Sequence, residues 1–130
     1  TKNLSLSDKV KFIGFVKHEN IVEHYQGLSL FVAASERESF GVSILEAAAC
    51  EVPAITSNIG GLTEVNLNMK TGLIINSNEP KELAMAILNL YQNRQLRLDL
   101  GKYARKRVMK DFNWYKNVDK MIEIYKNQKQ

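Results

Sequence analysis

A single cysteine, Cys50, is all the thiol chemistry this 130-residue chain has. An internal disulfide and a cysteine-based zinc site are therefore excluded, and nothing in the chain calls for an oxidising compartment. Two prolines and seven glycines are too few for a collagen-like or Pro/Gly-rich disordered chain. Long apolar runs are missing as well. The longest, residues 28–34, contains Ser29 and falls far short of the ~18 residues that span a bilayer. Residues 1–10 are polar and lack the basic and apolar blocks of a signal peptide. What remains is an ordinary globular balance, 45% hydrophobic and 25% charged, at a length suited to one core. The chain reads as one soluble, cytoplasmic domain over residues 1–130. It begins with Thr1 and runs at once into an apolar segment, as the later part of a longer protein would.

Charge is unevenly placed. The formal net charge is +4, with a pI near 9.2. Residues 1–93 hold seven Lys/Arg against ten Asp/Glu, a net of −3, whereas residues 94–130 hold eleven against four, a net of +7. A basic tail of this kind suits nucleic acid or an anionic membrane surface. Within it Leu96, Leu100, Tyr103, Ala104 and Val108 recur at helical spacing, so the basic residues also serve as the solvated face of a helix. No Gly-rich RNA-binding signature, zinc-finger spacing or basic–aromatic repeat accompanies them. Nucleic acid is not expected as a partner, while peripheral contact with an anionic membrane stays open.

Short β-type runs rich in Val, Ile and Phe occur at residues 10–16, 28–34, 53–57 and 72–76. Their near-continuous apolar character is that of strands buried on both faces. Helical segments are expected at 18–26, 41–50 and 61–66, then at 79–93 with Pro80 in the first turn, and over 94–110 and 115–127 as C-terminal helices. Alternation of this kind predicts an α/β domain around a parallel sheet. Ligands of such sheets collect beyond the carboxyl ends of the strands, which directs attention to residues 14–18, 34–41 and 57–61.

Two of these loops carry chemistry. In the first, Glu38 stands at the sheet edge, Gly41 allows close backbone approach, and Glu46 lies roughly 7–8 Å further along the next helix. Two carboxylates so placed suit different parts of one elongated ligand, and the N-terminus between them suits a phosphate. A plainer role competes: Glu38 stabilising the helix start, Phe40 in the core, Glu46 solvated. The second loop, residues 57–64, has Gly60 and Gly61 followed by Glu64; paired glycines serve either a ligand or a tight turn. Other constellations are poorer. His18 and His24 are badly spaced for one metal, although His18 follows the first apolar run. Cys50 beside alanines reads as core. Ser35 and Ser43 lack identifiable triad support. The chain has no Asp-x-Asp pair to anchor a Mg²⁺ or Mn²⁺ carrying a diphosphate.

The run Glu38-Ser39-Phe40-Gly41-Val42-Ser43-Ile44-Leu45-Glu46-Ala47 resembles the Glu-x7-Glu motif of retaining glycosyltransferases of family 4, with the GT-B fold. The resemblance continues through Pro53-Ala54-Ile55-Thr56, Gly60-Gly61-x-x-Glu64 and Lys70-Thr71-Gly72-Leu73-Ile74 to the aromatic Phe112-Asn113-Trp114. Upstream, Val10-Lys11-Phe12-Ile13-Gly14 is similar to the strand preceding the motif. It covers nearly the whole chain in order. The implied fold is the Rossmann-like C-terminal half of a GT-B enzyme, truncated at its N-terminal side. The implied reaction is transfer of a hexose from a nucleotide diphosphate sugar, a UDP- or GDP-sugar, to a glycan or lipid-linked acceptor in polysaccharide biosynthesis. Glu38 would be the catalytic residue, touching hydroxyls of the transferred sugar, and Glu46 would bind the ribose. Backbone at Phe40, Gly41 and Val42 would meet the sugar or diphosphate, and Gly60, Gly61 and Glu64 would line the donor cleft. Such enzymes need no metal or cofactor.

Ser39 and Glu51 stand where the family often has Gly. The N-terminal acceptor domain and the Arg and Lys that face the diphosphate have no counterpart here, and Arg37 and Lys17 match neither position. The expectation is an inactive donor-binding fragment. In a 3-2-1-4-5-6 sheet its four strands would be the third to sixth, so that an altered sheet or a dimer through an exposed edge is expected. Two other readings stay open: a non-catalytic nucleotide- or partner-binding module, and another GT-B enzyme such as a sugar-nucleotide epimerase.

Overall fold

The structure, a computed structural model, describes residues 4–76 and 79–127. Thr1, on which the abrupt start rests, lies outside the described residues. Three parallel strands form one sheet in the order β1 (Phe31–Ala33), β2 (Ala54–Ser57), β3 (Gly72–Ile75). Phe31 pairs with Ala54, and Ala54 through Ser57 pair with Gly72 through Ile75. The helices are α1 (Ile21–Gln26), preceded by a 3₁₀ turn at His18–Asn20, α2 (Val42–Ala49), α3 (Leu62–Val65), α4 (Pro80–Gln92), α5 (Arg94–Asp111) and α6 (Trp114–Asn127). The α/β fold with a parallel sheet and flanking helices is the one expected. Among the described residues no helix is long and apolar enough to cross a membrane.

Alternation along the strands gives the sheet two apolar faces. Ile55, Leu73 and Ile75 point to one side and pack with Leu90 of α4 and Leu100 of α5. Ala54 points to the other and joins Ile44 of α2 with Leu62 and Val65 of α3. Ile55 is fully buried, and a side chain of this kind contributes about 1.5–3 kcal/mol by leaving water. Pro80 opens α4 where its missing N–H costs nothing. Asn93 caps α5, its Oδ1 accepting from the Leu96 N–H at 3.0 Å.

One expected strand is absent. Residues 10–16 form no strand; Phe12 is 83% and Phe15 92% exposed. A strand exists through its ladder, and among the described residues this segment neither closes up against β1 nor pairs elsewhere. Its apolar content alone supplied no partner. It passes beside α1 instead, where Ile13–Val16 face Ile21, His24 and Tyr25 across an open groove. The expected helix at 18–26 is likewise split by the 3₁₀ turn. In α6 the stripe of Val118, Met121, Ile122 and Tyr125 is exposed, and no residue of that helix is buried.

Helix α5 lies against the turn after α2. The Arg105 guanidinium donates to the Ala49 carbonyl. A Cβ at Gly101 would sit 2.0 Å from the Glu51 carbonyl oxygen, backbone that cannot yield. Gly101→Ala is therefore expected to lower the unfolding free energy by about 3 kcal/mol through overpacking. Gly27→Ala, whose Cβ would meet neighbours at ordinary contact distances of 3.5 and 3.6 Å, should change it by less than about 1 kcal/mol. Urea titrations of the two variants check this, and equal losses would refute the packing account.

Candidate active site at the carboxyl edge of the sheet

The loops leaving β1 and β2 meet at the carboxyl edge. The meeting is backbone on backbone: a Cβ at Gly61 would lie 2.2 Å from the Ser39 carbonyl oxygen, and one at Gly60 would lie 2.7 Å from that of Glu38. The paired glycines thus serve the contact between the two loops. Glu36, Arg37, Glu38, Ser39, Ile59 and Gly60 line an open groove of about 530 Å³ at this junction.

Glu38 is exposed, and its Oε1 accepts from the backbone N–H of Ser39 at 3.0 Å and of Phe40 at 3.4 Å. A carboxylate here occupies an anion-accepting turn made of successive N–H groups. Gly41, at φ 87° and ψ 50°, makes the left-handed bend that starts α2, and no side chain caps that N-terminus. The Gly41 carbonyl accepts from the Ile44 N–H at 3.0 Å, which leaves the N–H groups of Val42 and Ser43 for an external acceptor. Val42 is exposed beside them.

Glu46 lies one turn into α2, with its side chain 27% exposed. Its Oε2 accepts from the Tyr25 hydroxyl at 3.0 Å, and its Oε1 lies 3.9 Å from His18 Nδ1. Tyr25 is 7% exposed, packed with Ala47 and Val52 and edge-on to Phe31 at 5.8 Å between ring centroids. Burial first, then the hydrogen bond and charge of Glu46, push its phenol up from 10.0 to about 12.

The structure thus brings Glu38, Phe40, Gly41, Gly60 and Gly61 together, and holds Glu46 in a separate contact with α1. The Glu64 carbonyl is turned away, accepting with that of Val65 from the Arg107 guanidinium at 2.6 and 2.7 Å. Arg107 also lies 4.9 Å over the Phe112 ring, which packs edge-on to Phe40 at 6.2 Å. The C-terminal end of α5 consequently braces the site loop from behind. Tyr25 and Arg107 were not picked out in the sequence. Tyr25 reaches Glu46 only through the packing of α1 on α2, for which local spacing carries no signal.

The sequence model of the family described as glycosyl transferases group 1 matches residues 1–107, and the chain belongs to that family. It is 35% identical over 124 residues to N-acetyl-alpha-D-glucosaminyl L-malate synthase of Bacillus anthracis, covering 95% of this chain and 32% of that protein. It is 37% identical over 120 residues to spore coat protein SA of Bacillus subtilis, covering 91% and 32%. The chain spans about a third of the length of these relatives. Among solved structures, sucrose-phosphate synthase from Thermosynechococcus elongatus is similar with a TM-score of 0.91 at 32% identity, over 98% of this chain and 32% of that one. HepE of Anabaena, solved with UDP and glucose, has the same fold with a TM-score of 0.89 at 24% identity, over 97% and 34%. The architecture is the Rossmann-like C-terminal half of a GT-B glycosyltransferase.

The Tyr25 contact makes stability depend on alkaline pH. A phenol whose folded-state value is raised contributes stability that is complete below its unfolded value near 10 and is lost as pH rises through about 12. Urea midpoints of the wild-type chain should fall over that window, and Tyr25→Phe should remove this component of the slope. Identical slopes for the two proteins would contradict the assignment.

Proposed function

We propose that this chain is the donor-binding part of a retaining glycosyltransferase, which transfers a hexose from a UDP- or GDP-sugar to a glycan or lipid-linked acceptor held by an adjoining N-terminal domain. The chain by itself would be inactive. The observation that carries this reading is the uncapped start of α2 standing between two carboxylates, Glu38 in the loop before it and Glu46 one turn along it. Family membership supports a sugar transferase.

In this reading the first N–H groups of α2, beginning with Val42, receive the diphosphate, and Gly41, itself buried against Ile44 and Leu62, makes the bend that presents them. The positive end of the helix then stabilises the charge that develops as the diphosphate departs. Glu38 releases the Ser39 and Phe40 N–H groups and turns to hydroxyls of the transferred sugar. Glu46 takes the ribose diol through the oxygen not bonded to Tyr25. Gly60 and Gly61 keep the second loop close enough to wall the cleft, and Glu64 supports it. No metal is assigned a step. The basic character of residues 94–130 fits contact with an anionic membrane bearing a lipid-linked acceptor.

Calorimetric titration of the complete polypeptide carrying residues 1–130 tests the donor reading, with UDP, GDP and ADP as probes. UDP is the first choice because HepE was solved with it. Saturable binding of one nucleotide is expected, weakened ~10-fold or more by Glu46→Ala through loss of a charged hydrogen-bond acceptor. Failure of all three nucleotides to bind a folded sample would overturn it.

A further inference from the structure

Among the described residues, only one oxygen of the Glu46 carboxylate is fixed by a hydrogen bond. Its Oε2 is fixed by a buried phenol, while the side chain as a whole remains partly open to solvent. The phenol has little freedom, because Tyr25 is buried among Ala47, Val52 and Phe31. A glutamate on a helix otherwise explores several rotamers, and immobilising one at the moment of binding lowers affinity by about 3- to 10-fold. A carboxylate already oriented by a charge-assisted hydrogen bond avoids that cost.

We propose that Tyr25 is a positioning residue for nucleotide recognition: its hydroxyl fixes the Glu46 carboxylate so that Oε1 faces the ribose diol. The assignment rests on the donor reading of Glu46 given above. Tyr25 touches neither sugar nor phosphate in this scheme and acts entirely through Glu46. The exposed His18 imidazole lies 3.9 Å from Oε1, beyond hydrogen-bond reach, so that oxygen stays available to the diol. The plain alternative is that Tyr25 is a core residue whose hydroxyl merely found an acceptor. The two differ in one respect: a positioning residue loses its effect when Glu46 is absent, and a core residue does not.

The test is a double-mutant cycle on the complete polypeptide, using Tyr25→Phe, Glu46→Ala and the double variant. The probes are UDP, GDP and ADP, and the 2′,3′-dideoxy counterpart of whichever binds. Tyr25→Phe keeps the ring and its packing, and circular dichroism and the urea midpoint verify the fold. Tyr25→Phe is expected to weaken binding about 3- to 10-fold, the cost of ordering a carboxylate that is no longer held in place. It should change dideoxynucleotide binding less than twofold, and have no further effect in the Glu46→Ala background. Equal weakening with and without Glu46, or no weakening in the wild-type background, would overturn the positioning role while leaving the donor reading intact. Absence of nucleotide binding by the wild-type protein would overturn both.

Discussion

The buried amide of Asn66 is the interaction on which the small sheet depends. With three short strands, ladder hydrogen bonds alone leave the position of α3 undetermined. Asn66, 1% exposed, places its Nδ2 3.0 Å from the Thr56 hydroxyl and 3.0 Å from the Leu73 carbonyl, with Ala54 O at 3.4 Å. Its Oδ1 accepts from the Thr71 hydroxyl at 2.8 Å, and that hydroxyl in turn accepts from the Leu67 N–H at 2.7 Å. One side chain thus ties β2, β3 and the end of α3 into a satisfied network, where any lost partner would leave a buried polar group unpaired. Gly72 belongs to the same arrangement, since a Cβ there would lie 2.7 Å from Asn66 Oδ1 and 1.9 Å from Ala54 O.

The placement of α3 then sets the second site loop. Leu62 begins α3 directly after Gly61, so fixing the helix fixes the glycine pair against the carbonyls of Glu38 and Ser39. The first loop is held from two directions, by those glycines in front and by Phe112 behind Phe40. Neither support comes from the strand that precedes the loop. The site edge is consequently built by packing between connections, which is why short strands suffice to carry it.

How far the sequence foretold this differs by element. Strands β2 and β3 were readable because their apolar runs are bounded by turns and buried on both faces. The Gly60–Gly61 pair was readable as a place of close approach, but the approaching group is the backbone of the other loop. Residues 10–16 have the same apolar texture as a strand, and texture does not supply a neighbour to bond to. The extra residue of helix α1 that matters most, Tyr25, was illegible for another reason: its meaning lies in the angle at which α1 meets α2. Glu51 stands where the family often has glycine, and its φ of 62° gives the reason, a left-handed turn that disfavours a Cβ.

Helix α5 closes the ends of two helices at once. Arg105 reaches the last carbonyl of α2, and Arg107 those at the end of α3. Cations at those negative ends offset each dipole where it would otherwise be unbalanced. The opposite, positive ends of the same two helices border the groove. Any displacement of α5 would therefore reach α2 and α3 together, and through them both loops that meet at the groove.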